Sequence, residues 1–182
     1  MNFDLTPATL STLFLPPLAT YLRASDDHNT LAARSPSGAN LQAASLMGAH
    51  LRAADLRGAD LSFAELSGAC LQNANLSGAC LFHADLRAAQ LCGAKLCGAD
   101  GREAEWGRAD LSNADLREID LREALLIEVN LSRADLRGAR LEGAILIDAN
   151  LDGTDLRGAS LCETLLSGAS LESARLGGAE FN

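Results

Sequence analysis

The sequence predicts an all-β solenoid built from a five-residue repeat, and three observations carry this prediction. Leucine occupies every fifth position from Leu41 to Leu176, with Gly101 and Trp106 as the interruptions, and Phe181 closes the series. The residue two positions before this central residue is alanine in 25 of 29 repeats. The second residue after the centre is glycine in 12 repeats. Each repeat therefore combines one large apolar side chain, one small one and a turn signal.

A period of five excludes both a single helix and a flat strand. Successive residues of a helix are about 100° apart, so leucines five apart step by about 140° and cover every side. In a flat strand the same spacing points alternate leucines to opposite faces. The chain must therefore turn within each repeat, which lets the centre and the preceding alanine face inward every time.

The residues around each centre agree with a turn. Glycine or asparagine after the centre tolerates the positive φ that a type II turn requires. The residue just before the centre is most often Asp or Asn, whose side chains hydrogen-bond nearby backbone at corners. The repeat thus carries the side chains that its own corner needs.

The repeat, which reads ADLRG at residues 54–58 and again at 134–138, resembles the pentapeptide-repeat family over residues 39–182. The resemblance implies a right-handed quadrilateral parallel β-helix with four repeats in each coil, similar to the loop-free cyanobacterial members. Chemistry that recurs at a lag of 20 agrees with this, although a lag of 15 also produces matches. About seven coils, or roughly 35 Å of rod at ~4.8 Å per coil, are expected.

The central residues are expected to form the core. Examples are Leu56, Leu76, Leu96, Leu116, Leu136, Leu156 and Phe181. Gly101 leaves a gap in this series, and Trp106 at the next centre brings extra volume. Either Trp106 fills the gap, which would otherwise cost about 3 kcal/mol as a cavity, or a local bulge displays Trp106 to a partner.

The turn glycines give way to charged residues between Glu103 and Arg133. A charged residue with a β-carbon resists positive φ. We therefore expect the turns at Glu118, Glu123 and Glu128 to change away from type II.

Residues 1–38 do not share the period and form a separate segment. Pro16 and Pro17 break its apolar run, which is too short for a membrane span. The start also lacks the early basic region of a signal peptide. We expect a short, partly helical cap on the open end of a β-helix that spans residues 39–182.

Composition limits the partners and the compartment. A net charge of −9 disfavours direct binding to nucleic acid or to an anionic membrane. The five cysteines form an odd set without a CxxC pair, which fits reduced thiols in a cytoplasm; that the cell is bacterial is implied by the family resemblance alone. They are Cys70, Cys80, Cys92, Cys97 and Cys162.

One predicted face carries apolar side chains that point outward. Leu125, Ile145 and Leu165 are expected in one column, with Ile127 and Ile147 in the adjacent column. Apolar residues clustered in this way approach the size at which a contact surface forms. The face is either a protein interface or a tolerated apolar surface, and we expect the interface.

Another face is expected to carry two columns of charge, which offset each other's repulsion. They are Asp115, Asp135 and Asp155 beside Arg117, Arg137 and Arg157. A solvated ladder is the favoured interpretation, and recognition of a charged partner is the other.

The sequence contains no catalytic, cofactor-binding or metal-binding constellation. His28, His50 and His83 are scattered, and the glycines follow the turn period instead of a phosphate-binding loop. A convex rod also gives its carboxylates no cleft. We therefore expect a non-enzymatic protein without a cofactor or metal.

Two functions fit an acidic rod. The first is a rod-like scaffold that binds another protein. The second is implied by the family resemblance: a DNA-mimicking modulator of DNA gyrase or topoisomerase that gives resistance to quinolones or peptide toxins. Its binding surface would be acidic columns such as Asp60, Asp100 and Asp120.

Charge density favours the scaffold. Residues 39–182 hold 21 acidic and 13 basic residues, a net charge of −8. Spread along the rod, this is about one charge per 4.4 Å, against about one per 1.7 Å in duplex DNA. A homodimer through the C-terminal end near Phe181, or through the apolar face, is a further expectation.

Overall fold

The computed structural model describes residues 37–181, and these residues form a parallel solenoid. This part of the chain has no helix and no strand longer than one residue. Instead, the residue before each centre bridges in parallel to the residue 20 positions along, from Asn40 with Asp60 to Ser160 with Glu180. One coil therefore holds four repeats. The expected cap falls almost wholly outside the described residues, and Gly38 already belongs to the regular turns.

The backbone hydrogen bonds explain why the repeat favours Asp and Asn. In a complete coil, the central N–H and the N–H two residues later donate to carbonyls of the next coil, as Leu116 does to Asp135 at 2.8 Å. The third N–H after the centre donates to the central carbonyl, and the N–H before the centre donates to the preceding coil. The N–H directly after the centre then needs an acceptor. Asp110 supplies one to the N–H of Ser112 at 3.0 Å.

The turns between Glu103 and Arg133 show that the expected change of turn type is wrong. φ is +58° at Glu118, +60° at Glu123 and +56° at Glu128. The N–H at this position must reach the next coil, as that of Glu118 does at 3.0 Å, and positive φ aims it there. The inter-coil hydrogen bonds therefore override a local preference whose cost is about 1–2 kcal/mol per residue.

The core is a continuous stack of central residues. Trp106 is fully buried, and a β-carbon placed on Gly101 would lie 3.2 Å from Cζ2 of Trp106 and 3.0 Å from Cδ2 of Leu121. The indole and Leu121 therefore occupy the space beside Gly101, and Trp106 is not displayed. Its Nε1 has no hydrogen-bond partner among residues 37–181. The leucines with no exposed surface include Leu56, Leu76, Leu96, Leu116, Leu136 and Leu156.

The last described coil departs from this pattern. Phe181 is 49% exposed and Leu176 is 39% exposed, whereas Leu161 is 3% exposed. A central side chain is covered by the coils on both of its sides, and no described coil follows that of Phe181. The prediction that Phe181 belongs to the core is therefore wrong for the described structure.

Candidate interaction surface

The five apolar residues singled out in the sequence lie on one face of the solenoid, and we call them the apolar strip. Leu125 bridges to Ile145, and Ile145 bridges to Leu165. Ile127 and Ile147 lie two residues after Leu125 and Ile145, in the adjacent column. The N–H of Leu126 donates to the carbonyl of Ile145 at 2.8 Å, which ties neighbouring rows together. Hydrogen bonds between neighbouring coils therefore hold the rows of the strip in register.

The strip exposes much of its apolar surface. Leu165 is 53% exposed, Ile127 is 40% exposed and Leu125 is 36% exposed. Ile145, which lies between Leu125 and Leu165 in its column, and Ile147 are half-buried. One end of the strip is open, since Gly107 precedes Ile127 in its column and presents no side chain.

Carboxylates line both edges of the strip, and we call these residues the acidic borders. Glu123 and Glu163 occupy the corner before the strip, and Glu128 and Asp148 occupy the corner after it. All of them are exposed. The segments 123–128, 143–148 and 163–168, which form this face with its corners, contain four acidic residues and no basic residue.

One acidic-border residue has a cationic partner. Oε2 of Glu128 lies 2.8 Å from Nε of Arg108, and this hydrogen bond lowers the pKa of the Glu128 carboxyl. Among residues 37–181, Glu123, Asp148 and Glu163 make no ion pair. The acidic borders thus hold uncompensated charge beside apolar surface.

Half a coil away lies the Asp–Arg face, formed by the six charged residues expected there. Each aspartate accepts two hydrogen bonds from the guanidinium of the arginine two residues later; for Asp155 and Arg157 these are 2.8 Å and 2.6 Å long. The pairing, led by the hydrogen bond from Arg157, lowers the pKa of Asp155 to about 2. A longer contact of 3.9 Å links Arg117 to Asp135 of the next coil. This face neutralises its own charge.

Two of the three carboxylates in the acidic column expected of a DNA mimic are also compensated. Asp100 pairs with Arg102 at 2.8 Å. Asp120 pairs with Arg122 at 2.6 Å and lies 3.7 Å from Arg140 of the next coil. Asp60 accepts a hydrogen bond from the Ser62 hydroxyl at 2.6 Å. Asp60 has no ion pair among residues 37–181, whereas Asp100 and Asp120 lie beside arginines.

An aromatic cluster at one corner was missed by the sequence analysis. Phe63, which is 50% exposed, stacks on His83 with ring centroids 5.3 Å apart, and Phe82 packs edge-on against both rings. Nε2 of His83 lies 3.0 Å from Glu103, and Arg102 lies over the Phe82 ring. The lag of 20 that relates Phe63, His83 and Glu103 could have revealed this cluster.

All five cysteines are unpaired and half-buried. Within residues 37–181, no group of His, Cys, Asp and Glu side chains is arranged to hold a metal ion. In the same span no helix has the length and apolar character to cross a membrane.

Comparisons with known proteins agree with the repeat. The model of a family described as pentapeptide repeats matches eight copies, over residues 39–78, 79–105, 107–143 and 144–182. HetL from the cyanobacterium Nostoc sp. strain PCC 7120, a pentapeptide repeat protein involved in heterocyst differentiation regulation, is 36% identical. The match covers 80% of this chain and 77% of HetL, with a TM-score of 0.40.

Two other solved structures show the range of similar proteins. Trypsin-treated QnrB1, a plasmid-mediated fluoroquinolone resistance protein, is 23% identical over 69% of this chain and 76% of its own, with a TM-score of 0.47. A pentapeptide repeat protein from the Arabidopsis thaliana thylakoid lumen is 34% identical over 59% and 68%, with a TM-score of 0.23. No curated protein matches the chain.

Proposed function

Because this chain belongs to the pentapeptide-repeat family, a family of right-handed β-helix solenoids, we propose that it is a non-enzymatic, rod-like protein-interaction module. In this proposal residues 39–182 form a rod of about seven four-sided coils, and residues 1–38 cap one end. The observation that carries the proposal is the apolar strip, which the solenoid holds in place and leaves exposed.

The fold does not require apolar residues at the positions of the strip. Earlier in the column of Leu125, the equivalent positions hold Glu65, Asp85 and Glu105, and the bridges there are the same. Full burial of a leucine or isoleucine contributes about 1.5–3 kcal/mol. Covering the exposed parts of the strip therefore offers several kcal/mol to a partner, from which the cost of association must be subtracted.

The compartment we propose is the cytoplasm of a bacterial cell. The five unpaired cysteines support a reducing environment, since thiols in oxidising compartments are usually paired. The partner in this proposal is another protein.

The test is quantitative crosslinking and affinity capture with the double variant Ile145→Lys/Leu165→Lys. We expect the proteins captured by the wild type to fall by roughly tenfold or more, because two lysines place buried charge in the interface. Ser112→Lys/Ser132→Lys adds the same charge in adjacent coils of another face and should capture as the wild type does. Capture of the same proteins by the strip variant, at unchanged folding, would contradict the proposal.

A second candidate is a DNA-mimicking modulator of DNA gyrase, which the net charge of −9 favours. The arginines beside Asp100 and Asp120 reduce its likeness to a phosphate backbone. A supercoiling assay with and without a quinolone or peptide poison separates the two candidates. Inhibition or protection near stoichiometric concentration, lost on charge reversal of Asp60, Asp100 and Asp120, would establish the mimic. Inertness at large excess leaves the interaction module.

Self-association is the remaining proposal for a partner. A homodimer could form through the apolar strip or through the exposed residues around Phe181. Sedimentation of the wild type and of Ile145→Lys/Leu165→Lys distinguishes these routes, because only a dimer through the strip dissociates in the variant.

A further inference from the structure

The charges around the apolar strip differ from those of the Asp-x-Arg repeats. In those repeats the aspartate before the centre pairs with the arginine two residues later, as at Asp85, Asp100 and Asp120. Glu123 and Asp148 of the acidic borders lie at corners, and no described arginine pairs with them. Negative charge therefore remains available on both sides of the strip, and it complements a cationic partner.

The acidic borders occupy a backbone position that favours glycine. φ is +60° at Glu123, +56° at Glu128, +55° at Asp148 and +58° at Glu163. Glycine fills the equivalent position at Gly143 and Gly168, where φ is +69° and +74°. Carboxylates are thus present where glycine would fit with less strain.

The spacing of the strip matches one partner element in particular. Successive coils are about 4.8 Å apart, and successive turns of an α-helix are about 5.4 Å apart. A helix parallel to the rod axis therefore places one turn over each row of the strip. Between the first and the third row, the positions of the helix turns and of the rows differ by only about 1 Å.

We infer that the occupant of the apolar strip is a basic amphipathic helix of a partner protein. Its apolar stripe, repeating at i, i+3, i+4 and i+7, lies on Leu125, Ile145 and Leu165. Lysine or arginine residues on both sides of that stripe lie against the acidic borders. The inference rests on the proposed function of the strip and adds the chemistry and the orientation of what binds there.

The experiment uses two synthetic helical peptides with an identical leucine stripe. One carries lysine and the other glutamate at the flanking positions, and fluorescence anisotropy measures binding to the full chain at about 50 mM and about 500 mM salt, where screening differs strongly. At low salt the lysine peptide should bind roughly tenfold or more tightly than the glutamate peptide. At high salt the preference should shrink to about twofold, because the border charges are exposed.

Two variants assign the preference to the acidic borders. Glu123→Gln/Asp148→Asn/Glu163→Gln should bind both peptides alike at low salt. Its control removes the same number of negative charges from other faces and should keep the preference for lysine; the control is Glu118→Gln/Glu172→Gln/Glu180→Gln. Ile145→Lys/Leu165→Lys should bind neither peptide. Circular dichroism and thermal melting confirm that each variant is folded.

The outcomes separate this inference from the proposed function. Equal binding of both peptides to the wild type, lost in Ile145→Lys/Leu165→Lys, would overturn the inference and leave the strip as a protein interface. Binding of the lysine peptide that persists in that variant would place it on the general acidic surface and would also overturn the inference. Absence of binding by either peptide would overturn the basic helix, and the capture experiment would still decide the proposed function.

Discussion

The Asp–Arg face and the apolar strip lie half a coil apart on the same solenoid, and they differ in what they leave unsatisfied. On the Asp–Arg face, each carboxylate meets the guanidinium of its own repeat, so its charge is compensated locally. On the strip, apolar side chains and unpaired border carboxylates both remain exposed. The same solenoid thus has one face whose charges are paired with each other and one face whose apolar and acidic groups are available to a partner.

The contrast is confined to the surface, because the core behind the two faces is the same. Leu126 lies behind the strip and Leu136 lies behind the Asp–Arg face, and neither has any exposed surface. Each donates its N–H to the next coil at 2.8 Å. The two faces therefore lie over equivalent parts of the core.

The largest expected effect tests this shared core. Leu126→Ala and Leu136→Ala should each lower the free energy of unfolding by about 2–5 kcal/mol, because each leaves a cavity in a packed stack. Denaturant unfolding measures both, with Ile127→Ala as the exposed control. A loss of less than about 1 kcal/mol at one site would mean that the two faces do not rest on equivalent cores.

A smaller effect is expected at the corners. Glu123→Gly beside the strip and Glu118→Gly beside the Asp–Arg face should each raise the free energy of unfolding by about 1 kcal/mol, because glycine adopts positive φ without strain. Only Glu123→Gly should also weaken binding of the lysine peptide. Thermal melts and anisotropy measure the two properties, and Gly138→Glu should be destabilising. Unchanged peptide binding by Glu123→Gly would remove the distinction between the corners.

The smallest expected effect concerns the stability of the fold at acidic pH. The folded-state pKa of Asp155 is about 2 and its ordinary value is 3.8. Its pairing with Arg157 therefore stabilises the fold at pH values above that ordinary pKa. That contribution is lost as the pH falls toward about 2 and is below about 1 kcal/mol for an exposed pair. In Arg157→Gln the pKa of the Asp155 carboxyl, followed by NMR, should rise toward its ordinary value, and less stability should be lost over the same acid range. An unchanged pKa of Asp155 in this variant would show that Arg157 is not what lowers it.

Much of the fold could be predicted from the sequence because the repeat is short and regular. The period of five requires a turn in every repeat, and the Asp or Asn before the centre matches an N–H that has no backbone acceptor. The positive φ at Glu118 could not be predicted from local preference, since it arises from a hydrogen bond to the next coil. The exposure of Phe181 likewise depends on whether a further coil covers it.

The residues of the candidate site could be predicted from the sequence, but which of their charges are paired could not. The lag of 20 places Leu125, Ile145 and Leu165 in one column. The spacing Asp-x-Arg also indicates local pairs, such as Asp135 with Arg137. That corner carboxylates such as Glu123 remain unpaired depends on where arginines of neighbouring coils direct their side chains, which the sequence pattern does not specify.

The bridge between each residue and the one 20 positions along has a consequence for how such a gene can change. Deletion of a single five-residue unit between Leu125 and Ile145 would keep every central leucine inward, yet it would rotate all later columns by a quarter of a turn. Ile145 and Leu165 would then stack on a different side from Leu125. Deletion or duplication of four units preserves every column and alters length alone. Insertions and deletions therefore preserve the surface columns when they span multiples of 20 residues, whereas multiples of five residues suffice to preserve the core.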